Sequence, residues 1–182
     1  MELLKQNNNL YRNFTAYLKA VVIYDLTFHF CERFIKNNDR TKDQMVQAAR
    51  SGKQNIIEGK VASLTSDQTQ IKLLNIARAS FQELLADFED YLRTRNLKQW
   101  EIDSSEVRAM RELGLQHDDP RFFTDLALTR SDETIANMVI VLIHQEDVLL
   151  RKHIEKRIDG YINEGGFGEA LIKARNAKRK LK

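Results

Sequence analysis

One proline and seven glycines in 182 residues leave little turn chemistry for a sheet, since average usage would place roughly nine prolines and a dozen glycines in such a chain. Long helices with few breaks are what remain. The 42% hydrophobic content can fill a core, while 30% charged residues at a mean hydropathy of −0.49 exclude a membrane-embedded or disordered chain. No uncharged run approaches about 18 residues, and Met1 to Asn9 is too polar for a secretory signal. A soluble, cytoplasmic protein is expected. The single cysteine, Cys31, sits among Phe28, Phe30 and Phe34 and reads as a small hydrophobe.

The breaks locate the helices. Asn7 to Asn9 and Asn37 to Asp39 bound a first helix over about 10–36. Thr41 to Gln44 has the spacing of a capping box and opens a second over about 41–62; Thr65 to Gln68 repeats it and opens a third over about 66–95. Short links between them favour antiparallel neighbours. A fourth helix starts at Ser131, where Asp132 and Glu133 supply the cap and the acidic first turn, and runs over about 131–162, with Ile135, Met138, Leu142, Leu149 and Ile158 as its apolar seam. Residues 99–130 hold Trp100, Pro120 and one short helical pattern over about 104–113 stopped by Gly114. The expected fold is therefore all-α: an antiparallel up-down four-helix bundle over about 10–162, with a long crossover at 99–130 and a short basic helical suffix at 163–182.

At helical spacing, Met45, Ala48, Ala49, Gly52, Ile56 and Gly59 share one side of the second helix. Small residues there let another helix approach closely. Beside them Gln44, Ser51, Asn55 and Glu58 form a polar ribbon, and Arg78 interrupts the apolar stripe of the third helix. A guanidinium in a core needs a carboxylate; Glu58 is the expected partner, with Asn55 assisting and Asp25 the rival acid. This group is read as a structural polar network. The first helix is apolar over more of its circumference than one face needs, which points to a subunit interface or to cover by the crossover or the C-terminal helix.

Metal and catalytic patterns are missing. Glu-x-x-His does not occur: Leu26, Gly114, Val141 and Leu150 stand three before His29, His117, His144 and His153. No cysteine pair, His-Glu-x-x-His or phosphate loop occurs, so no catalytic residue, metal or cofactor is expected; Asn55, Glu58 and Arg78 are the sole polar trio that a pocket might turn to enzyme use. Charge is more informative. Residues 151–182 hold ten basic and four acidic residues, a net of +6, so with +3 overall, residues 1–150 carry −3. Lys173, Arg175, Lys178, Arg179 and Lys180, helped by Arg50, Lys53 and Lys60 on one sector of the second helix, are candidate phosphate contacts. A solvated basic tail, or a protein-interaction scaffold using the first helix and the region of Trp100, are the competing readings.

Gln44-Met45-Val46-Gln47-Ala48-Ala49-Arg50-Ser51-Gly52-Lys53-Gln54-Asn55-Ile56-Ile57-Glu58-Gly59, followed by Leu73 to Leu84 with Ile76-Ala77-Arg78-x-Ser80 inside it, resembles the bacterial four-helix-bundle family often encoded in intervening sequences of ribosomal RNA genes. Ser51-Gly52-Lys53 replaces the commoner Ser-Ile-Pro, and Ala79 stands where glycine is usual. These departures, with Gly165-Gly166-Phe167 and the basic end, resemble the subgroup bearing a C-terminal suffix. The resemblance implies an antiparallel bundle assembled into a ring-like homo-oligomer, a pentamer, with no established enzyme activity. Relatives acting as accessory subunits of diversity-generating reverse transcriptases imply binding of nucleic acid and of a protein partner such as a reverse transcriptase.

Overall fold

The computed structural model describes residues 10–36, 38–165, and 169, 172, 175 and 176. Among them are six helices and no strand: α1 (Thr15–Phe34), α2 (Arg40–Ala62), α3 (Asp67–Thr94), α4 (Ser105–Gln116), α5 (Pro120–Ala127) and α6 (Asp132–Glu164). No helix among the described residues is long and apolar enough to cross a membrane.

Helix starts follow side-chain oxygens that accept the first free amides. At α6 the cap is Ser131 rather than Asp132 or Glu133, accepting from the Thr134 N–H at 3.2 Å. The two capping boxes are corrected. Asp39, not Thr41, caps α2, accepting from the Thr41 N–H at 2.9 Å, and Ser66, not Thr65, caps α3 through the Thr69 N–H at 3.1 Å. In both places an Asp or Ser lies one or two residues ahead of or behind the threonine, and the residue with the extended backbone takes the role. Phe14 precedes α1 without a side-chain cap, so this helix is shorter than expected, and residues 10–13 form a turn. Asn96 ends α3 in the left-handed region (φ 56°), which asparagine tolerates.

The stretch at 99–130 is more structured than expected. α4 runs through Gly114 instead of stopping there, and Gly114 is buried where a β-carbon would collide with the Gln145 side chain of α6. Asp119 caps α5 by accepting from the Arg121 N–H at 2.9 Å, with Pro120 in the first turn, where its missing N–H costs nothing.

α2 packs on α1 and α3, α6 on α1, α3 and α4, and α5 on α1. The small-residue side of α2 does what its spacing indicates: a β-carbon on Gly52 would stand 2.6 Å from the Phe81 ring of α3. Phe30, Phe88 and Tyr91 meet edge-on, with centroids 5.0 and 4.7 Å from Phe30. α6 is buried all round from Ile135 to Ile143, Asn137 included. α5 covers part of the wide apolar girth of α1, and Arg33 Nη1 donates to the Ala127 carbonyl at 2.9 Å; Phe28 keeps 47% exposure. Of the expected seam of α6, Ile135, Met138 and Leu142 are buried, whereas Ile158 is 38% exposed.

Candidate nucleic-acid interface

The cationic sector of α2 lies over aromatic rings of α1. Lys53 Nζ stands 3.7 Å from the Tyr24 ring centroid, and Lys60 Nζ 4.6 Å from that of Phe14. Both lysines are half-buried, and burial is the main cause that lowers their pKa; Asp25 opposes the shift at Lys53, while Arg157 adds to it at Lys60. Their stems thus cover apolar surface while the charge stays at the edge. Arg50 is exposed. Of the suffix residues, Arg175 is exposed and helical, while Lys173, Lys178, Arg179 and Lys180 lie outside the described residues.

Beside Lys60 the structure gathers charges that sequence spacing does not connect. His153 of α6 packs at a tilt against Phe14, with centroids 4.8 Å apart, and its Nε2 lies 3.1 Å from Gln70 Nε2. Burial and then the nearby Lys60, Arg157 and Lys156 push its pKa down to about 4, so the ring is neutral at pH 7 and accepts the amide proton of Gln70. Arg157 pairs with Asp67 at the start of α3, yet its Nε, like Gln70 Oε1, is buried without a partner. Lys156 is exposed. This end of the fold therefore brings Lys60, Lys156 and Arg157 near His153, with Asp67 paired to Arg157 and Glu155 and Asp159 on the same turns of α6, which ends at Gly165.

The polar network of α2 is real in part and differently joined. Asn55 Nδ2 donates to the Ser51 carbonyl at 2.9 Å, and Ser51 Oγ lies 3.0 Å from Ser80 Oγ of α3. Gln44 and Glu58 are exposed. Arg78 pairs with neither Glu58 nor Asp25; its Nε donates to Asp147 of α6 at 2.9 Å. The helical position of Arg78 turns it toward α6 rather than α2, so the carboxylate comes from the helix on that side. Among the described residues, Asn55, Glu58 and Arg78 line none of four prominent cavities.

A second polar cluster was not foreseen. Lys19 of α1 is 3% exposed and donates to the Gly114 carbonyl of α4. Glu146 of α6 is fully buried, with neither carboxyl oxygen hydrogen-bonded. Desolvation raises the pKa of Glu146 well above the carboxylate range against the pull of Lys19, and lowers that of Lys19. Lys19 stands at helical spacing from the buried Ala16, Ile23 and Leu26, and Glu146 from the buried Leu142, Ile143 and Leu150, so their register on the apolar stripes is the signal that could have marked them as interior. Among the described residues no group of three or more His, Cys, Asp or Glu is placed to hold a metal ion.

Comparison of the chain with protein-family models, with curated proteins and with solved structures finds no match.

Proposed function

We propose that the protein is a non-catalytic, cytoplasmic helical bundle that binds nucleic acid, structured RNA in preference to DNA, through phosphate contacts. On this reading α1, α2, α3 and α6 form the up-down four-helix unit, copies of it assemble as a homo-pentamer, and the likeness to the ribosomal RNA intervening-sequence family extends to its suffix-bearing subgroup. The observation that carries the reading is the convergence of Lys60, Lys156 and Arg157 around a neutral His153, at the end of the fold from which the basic suffix leaves. A phosphate set there would meet several positive charges and would relieve their mutual repulsion.

Fluorescence anisotropy with labelled structured RNA and duplex DNA tests it. Binding is expected at low salt, tighter for RNA, with affinity falling steeply as salt rises. Lys60→Glu with Lys156→Glu, or removal of residues 168–182, should each weaken binding by about tenfold or more at low salt. Undetectable binding at low salt, or binding unchanged in both variants, overturns the reading. The competing scaffold reading rests on exposed apolar side chains of the crossover, Ile102 at 68% and Leu115 at 79%; a stoichiometric protein partner that co-purifies free of nucleic acid favours it.

A further inference from the structure

A cleft of about 590 Å³ opens between the 99–102 segment, α4 and the outer side of α6, within the size range of small-molecule sites. Its apolar lining comes from Trp100, Ile102, Val107, Ile140, Val141 and Val148. The segment carrying Trp100 is fixed: the Trp100 N–H donates to Asn137 Oδ1 at 2.7 Å, and Asn137 Nδ2 donates to the Lys98 carbonyl at 2.8 Å.

Two carboxylates, Glu101 and Asp147, and two guanidiniums line the cleft. Asp147 lines it but is held by Arg78. Arg111 from α4 and Arg151 from α6 also line it, and among the described residues no hydrogen bond or ion pair engages either guanidinium, the His144 ring or the Trp100 indole N–H. Two unpaired arginines from different elements, beside the indole of an anchored segment, suit a ligand with one flat aromatic body and one anionic group. Guanidinium groups favour phosphate, and a tryptophan face suits a base. Gln99, Glu101 and His144 lie among the apolar groups; they match the polar edge of a base and would be stranded against an alkyl chain.

We infer that this cleft seats one nucleoside monophosphate unit, its base against Trp100 and its phosphate between Arg111 and Arg151. The inference deepens the nucleic-acid reading, on which it rests only for the ligand's source, and uses none of the same residues.

Trp100 is the single tryptophan of the chain, so its fluorescence reports on the cleft directly. Titration of the intact protein with AMP, UMP, phenyl phosphate and short unstructured oligoribonucleotides is expected to give saturable change with a nucleotide probe below about 2 mM. Arg111→Ala and Arg151→Ala, both at exposed positions, should each weaken that change by about fivefold to tenfold. Response to AMP or UMP assigns a free nucleotide, and response to the oligonucleotides alone assigns an unpaired nucleotide of a strand; either supports the cleft. Equal response to phenyl phosphate, no response to any probe, or unchanged affinity in both arginine variants overturns it. The two proposals fail separately. RNA binding lost with Lys60→Glu and Lys156→Glu but unaltered at Trp100 leaves the function and sinks the cleft, whereas AMP binding without RNA binding does the reverse.

Discussion

Gly52 and Gly59 occupy the same side of α2 but tolerate a methyl group differently. A β-carbon at Gly52 would press on the rigid Phe81 ring at 2.6 Å, and one at Gly59 would meet the end of the Leu74 side chain at 3.2 Å. Gly52→Ala is expected to destabilise by about 1–3 kcal/mol through overpacking, even after the gain in helix propensity. Gly59→Ala should stay within about 1 kcal/mol of the parent, because Leu74 can shift and alanine favours the helix. Urea unfolding of the two variants checks both values. That close approach was legible in the sequence, since small residues at helical spacing leave one reading. The partner of Arg78 was not: Asp147 lies 69 positions away, and spacing along α3 does not say which neighbouring helix supplies the carboxylate.

Among the elements, the least legible was α5. Its one strong mark, Asp119-Pro120, is both a break and a helix start, and over eight residues periodicity cannot decide between them. α2, α3 and α6 were placed to within a residue or two, because capping side chains sit at their starts even where the capping residue itself was misassigned, whereas the uncapped α1 starts five residues later than expected. Asn137 shows what pattern reading cannot reach: a polar residue inside an apolar run whose partners are the backbone of a segment nearly forty residues upstream. Asn137→Ala should strip the Trp100 N–H and the Lys98 carbonyl of their partner. Expected results are a loss of about 1–3 kcal/mol and faster amide hydrogen exchange at Trp100, followed by NMR, with helices α2 and α3 unaffected. Unchanged exchange at Trp100 would show that the segment is held by something other than Asn137.

For the molecule as a whole, acid sensitivity should centre on the end where the cations meet. The pKa of His153 is lowered from 6.5 to about 4, so its contribution to stability is present above 6.5 and is lost as the pH falls toward about 4. His153→Gln keeps a polar side chain beside Gln70 and removes this titration. Thermal unfolding should therefore show the parent losing about 1–2 kcal/mol more than the variant across that window, allowing for solvent screening. Parallel pH profiles would remove His153 from the account. A ligand phosphate at the same place would raise the pKa of His153, which couples proton uptake to nucleic-acid binding under the proposed function.

The contact of α1 with α6 also governs how the chain emerges during synthesis. α1 finds α2 at once, but α5 and α6, which cover the rest of its circumference, follow about a hundred residues later. At translation rates of roughly 5–20 residues per second, the aromatic girth of α1 stays uncovered for on the order of 5–20 s. For that interval the newborn protein carries a sticky face, and α1, made well before α5 and α6, is among the last of these helices to be enclosed.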